Sequence, residues 1–211
     1  MQVPKIVDHQ ERRARVAEVV WRMVGEQGLD AVTMLSVARG SGLSAGTIQH
    51  YFANKSELVR LAMSQTFDRT DTRLEGIANT SPAIDAVREM AYAILPMDDE
   101  RRNDVSAWLG FVGRLGADPA LLEMYQAYYA RARERWCAVL REGVTDGSIR
   151  PDIDIAAEAD VLVGLTDGLA MQAVMEGLPV ERVEQAFEAY LSTLREKPPL
   201  DEQRPASNFT R

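Results

Sequence analysis

The feature that most restricts what this chain can fold into is a pair of helix signals set too close together for anything but a tight turn. They lie in "TMLSVARGSGLSAGTIQHYFANKSEL", Thr33 to Leu58. Thr33 can cap a short helix through about Arg39, and Ser44 can cap the next, through about Phe52. Only "SGLS" joins them, and Gly42 offers the positive φ that a sharp turn needs. Asn54 with Glu57 three residues later is a capping-box pattern, which opens a longer helix through Leu58, Leu61, Ala62 and Phe67.

Two short helices, about 34–40 and 45–51, joined by a glycine-containing turn have helix-turn-helix geometry, whose second helix lies in the DNA major groove. Val37, Ala38, Leu43 and Ile48 supply an apolar seam against the preceding helix "RVAEVVWRMVGEQGL". The segment from Ser44 to Tyr51 exposes side chains suited to hydrogen bonding. Thr33, Ser44, Tyr51 and Lys55 can donate to phosphate oxygens, helped by helix N-termini near Met34, Ala45 and Lys55. Gln49, Thr47 and His50 are placed to reach base edges, and Gly46 lets the backbone approach. Plainer roles compete. Thr33, Ser44 and Asn54 cap helices with or without DNA, Tyr51 fits a half-buried aromatic, and His50 fits a surface histidine.

The rest of the chain punctuates as helices. Ser81-Pro82 and Asp118-Pro119 pair an N-cap with proline, Asp154 opens another helix, and Pro179 precedes the last. The expectation is an all-α fold of about nine helices. Its domains are a helix-turn-helix head over residues 1–54 and a helical body over 55–196, with 55–75 as connector and 197–211 as a disordered polar tail. Within the body, amphipathic helices are expected over 81–95, 103–116 and 119–143.

Charge divides in the same way. The first sixty residues carry a net +2 and the remaining 151 a net −10, so one end only suits a polyanion. No apolar run approaches the ~20 residues of a membrane span, and the N-terminus lacks a secretory apolar region of ~7–15 residues. With Cys137 as the single cysteine, these features suggest a soluble, cytoplasmic protein without membrane contact.

Enzymatic chemistry finds little support. His9 and His50 have no companion ligands at metal spacing, and Cys137 has no base nearby in sequence, so no metal or cofactor is expected. A helical ligand-binding or scaffolding protein without specific DNA binding is the alternative, and it leaves residues 33–58 unexplained. Two late helices carry a different pattern. "AADVLVGLTDGLAMQAVM" is apolar over most of its circumference, and "VERVEQAFEAYLSTL" adds a second apolar stripe. A helix apolar nearly all round must be covered on both sides: one by its own domain and the other by a second copy, with entirely intramolecular burial as the alternative. The expected homodimer contact comprises Val161, Gly164, Leu165, Gly168, Leu169, Val183, Phe187, Tyr190 and Leu191.

The run Thr33, Val37-Ala38, Gly42-Leu43-Ser44, Gly46-Thr47, His50-Tyr51-Phe52, Lys55 and Leu58 resembles the TetR family of transcriptional regulators. "LTDGLAMQA" is similar to its choline-responsive members. Gly40-Ser41 stands where the family commonly has better helix formers, which weakens the end of that helix, and Gln49 stands where an aromatic is frequent, so the preferred bases cannot be carried over. The resemblance implies a dimeric repressor on near-palindromic double-stranded operator DNA, released by a small-molecule effector. It also implies a pocket in the body, for which Met90, Trp108, Phe111, Met124, Tyr125, Tyr128, Met171 and Met175 are the candidate lining. Ala107 and Gly110 are expected along that pocket, and Arg114, Arg131 and Arg133 are candidates to serve an anionic ligand, with plain solvated faces as the competing role. No cluster of ionisable groups stands out there in the sequence.

Overall fold

The computed structural model describes residues 5–77 and 82–195, the side chains of 5–10 excepted. Within that range the chain is nine α-helices with no strand: α1 Lys5–Gln27, α2 Met34–Ser41, α3 Ala45–Tyr51, α4 Lys55–Leu74, α5 Ala83–Ile94, α6 Asp99–Val112, α7 Pro119–Asp146, α8 Ile155–Met175 and α9 Val180–Leu194. The expected disordered tail and Ser81 lie outside the described residues.

Local chemistry starts most of these helices. Thr33 accepts from the Ser36 amide while Ser36 Oγ accepts from the Thr33 amide, a closed capping box. Ser44 accepts from the Thr47 amide at 3.0 Å, and Gly42 takes the left-handed turn with φ 69°. Asn54 caps α4, but Glu57 reaches back one residue further than expected, accepting from the Ala53 amide at 2.8 Å. Asp118 and Asp154 cap α7 and α8.

Two helices differ from expectation. α6 begins at Asp99 rather than 103, because Asp98 accepts from the Arg101 amide at 2.8 Å and starts the helix a turn earlier. α5 has Pro82 at its N-cap position, which offers no side-chain acceptor. Its first amides are capped from across the fold: Ala83 donates to Asp146 at 2.8 Å and Ile84 to Ser148 at 3.1 Å.

Two apolar cores form. One gathers Val20 and Val24 of α1, Val37 of α2, Ile48 of α3 and Leu58 of α4, and continues into the body through Phe111, Leu121 and Tyr128. The other packs α5 and α7 against α8 and α9 around Trp136, Leu140, Leu162 and Phe187. The head is therefore seated on the body by shared side chains as well as by the α4 connector. Arg60 of α4 adds an ion pair at 2.9 Å to Asp118, the α7 cap.

Candidate DNA-binding face and internal cavity

α3 is held by one buried residue and presents the others. Ile48 is fully buried against α1 and α2, which turns Gln49 and His50 out to solvent along with Gly46 and the Ser44 cap. The Ser44 and Thr47 hydroxyls lie 2.8 Å apart, so Thr47 is oriented by its own helix start. Thr33 is exposed at the start of α2 and Ala45 half-buried at the start of α3. Gly46 has open space where a side chain would stand, with only Ser44 Oγ within 4 Å.

Tyr51 and Lys55 have further roles. The Tyr51 ring lies edge-on to His50, and Arg12 reaches its hydroxyl at 3.5 Å. Arg13 lies 5.0 Å over the Phe52 ring and reaches the Tyr51 carbonyl, which pins the end of α3 to α1. Lys55 donates to the Leu29 carbonyl at 2.7 Å, so its ammonium ties the α1–α2 connection to α4. Sequence reading overlooked Arg12 and Arg13. The available signal was the basic run "ERRAR", whose side chains fall on the α3 side of α1 only once the helices pack.

Beneath the head the body holds a half-open cavity of about 80 Å³, room for several waters or part of a compact organic molecule. Its lining draws on α4 to α8 and is rich in rings: Phe67, Trp108, Tyr128, Tyr129 and Trp136. Phe67 and Tyr128 stack at 3.8 Å between centroids, and the Trp108 indole nitrogen is buried without a hydrogen-bond partner. Three charged side chains also line the cavity, Asp104, Arg135 and Asp167, a cluster that did not stand out in the sequence.

Their states differ. Arg135 pairs with Asp71 at 2.7 Å. Asp104 is buried, which raises its carboxyl above the ordinary range, while Arg73 and the Trp21 indole N–H draw it back. Burial pushes the Asp167 carboxyl up to about 6, partly offset by the Tyr129 phenol and the Arg133 guanidinium. The Tyr128 phenol is pushed by burial to about 12, so both it and the still more strongly raised Tyr129 stay protonated at neutral pH.

Of the expected pocket residues, the structure brings Met90, Trp108 and Tyr128 to this cavity. Tyr125 stands in a neighbouring recess with Tyr129, Arg133 and Asp167. Phe111 and Met124 pack into the head-side core instead. Met171 and Met175 are corrected outright, being 41% and 70% exposed on the outside of α8. Ala107 and Gly110 face the head: an added Cβ at Gly110 would lie 2.9 Å from Val24 of α1. Arg114 and Arg131 are exposed, and Arg133 pairs with Asp160 at 2.6 Å.

The expected dimer residues also separate. Leu169, Val183, Phe187 and Leu191 are buried in the subunit's own core, which leaves them almost no surface to offer a second copy. Tyr190 is half-buried with its hydroxyl on Glu158. Val161, Gly164, Leu165 and Gly168 keep exposed or half-exposed positions, and a Cβ at either glycine would meet nothing within 4 Å. Together with Met171 and Met175 they form a strip along the outer face of α8. Among the described residues no helix is long and apolar enough to cross a membrane. Nor does any group of three or more metal-binding side chains gather there.

A helix-turn-helix head seated on a helical body with an internal cavity defines a DNA-binding transcriptional regulator. Residues 18–62 match the description of bacterial regulatory proteins of the tetR family, and residues 83–196 match the C-terminal part of BetI-type transcriptional repressors. The chain belongs to the TetR family. It is 25% identical over 194 residues to the HTH-type transcriptional regulator PksA of Bacillus subtilis, covering 85% of this chain and 87% of that one. It is 26% identical over 184 residues to the HTH-type transcriptional regulator BetI of Burkholderia cenocepacia, with 85% and 90% covered. A transcriptional regulator from Saccharomonospora viridis, solved in complex with choline, shares the fold at a TM-score of 0.83 and 23% identity, over 89% of this chain and all of that one. The protein is a transcriptional regulator and not an enzyme.

Proposed function

We propose that two copies of this chain pack through the outer strip of α8 and occupy a near-palindromic operator, with α3 of each in successive major grooves. Residues 1–54 act as the reading head and residues 55–196 as the sensor and dimerisation body. Gln49, Thr47 and His50 read base edges, while Thr33, Ser44, Ala45, Gly46, Tyr51 and Lys55 fix the head on the phosphates. Gln49 and His50 standing exposed on a helix whose buried Ile48 fixes its orientation is the observation that carries this reading. Occupation of the operator blocks transcription, and a small molecule in the cavity releases the protein.

The cavity's chemistry supports a compact organic cation as effector. Aromatic faces attract cations and Asp167 adds a carboxylate to the lining, whereas the lone arginine there is already paired with Asp71 and Asp104 with Arg73. The choline bound to the Saccharomonospora viridis protein supports the same class. In vitro selection from random duplexes should recover a two-half-site sequence, with half-sites about one helical turn or a multiple apart. Choline chloride should raise the melting temperature and weaken binding to the selected duplex. Recovery of no preferred sequence would overturn specific operator binding, and tight choline binding without any loss of DNA affinity would overturn the release step.

A further inference from the structure

α1, α4 and α6 meet along a polar seam to which each contributes two residues one helical turn apart: Glu18 and Trp21, Arg69 and Arg73, Glu100 and Asp104. Arg69 lies over the Trp21 ring at 4.2 Å and pairs with Glu18 and with Glu100, the latter at 3.0 Å. Arg73 pairs with Asp104 at 2.5 Å, and the Trp21 indole nitrogen donates to the other Asp104 oxygen at 2.7 Å. One turn further along α1, a Cβ on Gly25 would stand 2.1 Å from the Asn103 side-chain oxygen, so α1 passes close over α6 there. Asp104 alone among the six lines the cavity.

We infer that Asp104 is the positioning residue that couples the cavity to the DNA-binding head, through its hydrogen bond to Trp21; this rests on the reading of the cavity as the effector site. The carboxylate has two oxygens, one holding α1 and one holding α4. A cation or N–H donor entering the cavity competes for those oxygens, and whatever it takes is taken from the head's anchorage. The reverse also holds by linkage: DNA that fixes the head must be felt at the cavity wall. The α4 connector, which lines the cavity itself through Thr66, Phe67, Thr70 and Leu74, is then one of two routes, and α1 held on α6 through Asp104 is the other. A ligand without a donor group fills the ring-lined space and leaves this bond in place.

The test runs in the DNA direction, so no effector need be known. Amide hydrogen exchange of the full-length chain is followed with and without saturating selected duplex. The reporters are the cavity-wall segments of residues 104–108 on α6 and 163–170 on α8. In the wild type, DNA should change exchange several-fold in both segments. Trp21→Phe keeps the ring under Arg69 and deletes the donor; it should still bind DNA while both cavity-wall responses disappear. Asp104→Leu, which cuts the bond from the cavity side, should do the same even if Trp21→Phe folds poorly. Asp104→Asn keeps an acceptor for Trp21 and should restore the response. No response in the wild-type α8 segment overturns the coupling, and an undiminished response in Trp21→Phe or Asp104→Leu overturns the route through Asp104. Failure of choline to raise the melting temperature would instead count against the effector class, and does not alter the exchange result.

Discussion

Met175→Glu tests which face of α8 meets the second copy. Full burial of a side chain of this size contributes ~1.5–3 kcal/mol. Met175 is 70% exposed in the subunit, so most of that gain, ~1–2 kcal/mol, is still available to a partner. A two-fold interface uses each residue twice, so the substitution forfeits ~2–4 kcal/mol per dimer, before the cost of desolvating two carboxylates. The dimer dissociation constant should rise roughly 30- to 1,000-fold, with a parallel loss of operator affinity. Sedimentation equilibrium across a concentration series reads the first effect, and circular dichroism should find the monomer still helical. Phe187→Glu is the control, because Phe187 is fully buried inside the subunit. It should lower the melting temperature steeply, by the ~3–5 kcal/mol of losing a core aromatic and more for the buried charge, rather than yield folded monomers. A Met175→Glu protein with an unchanged dissociation constant, or a well-folded monomer from Phe187→Glu, would refute this placement of the interface.

Gln49→Ala should weaken binding to the selected duplex by about 1–3 kcal/mol and leave random DNA nearly unchanged; equal losses on both would remove Gln49 from base readout. Lys55→Ala should weaken both and lower the salt slope by about one, and it should also cost about 1 kcal/mol of stability by stranding the Leu29 carbonyl. An unchanged melting temperature would mean that the Leu29 contact contributes nothing. Asp167 titrates at about 6 in the folded chain against 3.8 as the ordinary value, so the folded state holds its proton more tightly. Its contribution to stability is therefore fully present below about pH 4 and is lost as pH rises through about 6, a swing on the order of 3 kcal/mol. Asp167→Asn should flatten that part of the stability–pH profile in urea melts, and an unaltered profile would place the titration elsewhere. Choline should bind the wild type more weakly at pH 5 than at pH 7.5, because the protonated carboxyl no longer attracts a cation; equal affinity would exclude Asp167 from the site.

What the sequence determined by itself was set within four residues, although the Asp98 cap of α6, just as local, was passed over. The caps at Thr33, Ser44, Asp118 and Asp154 bond amides two or three residues away, so spacing alone locates those helix starts. The helix-turn-helix was legible for the same reason, since Gly42 and Ile48 dictate a turn and a buried face within one short stretch. The cap of α5 was not, because Asp146 and Ser148 reach it from more than sixty residues along the chain. Nor could periodicity say which stripe of α8 and α9 turned inward: apolar residues occur nearly all round α8, and only packing against α5 and α7 buried Leu169, Val183, Phe187 and Leu191 while leaving Val161, Met171 and Met175 outside. The cavity is the plainest case. Asp104, Arg135 and Asp167 sit thirty or so residues apart on three helices, each an ordinary charge in its own amphipathic pattern. They become a site only where those helices converge, because the environment that shifts a carboxyl to about 6 is made by neighbours distant in sequence.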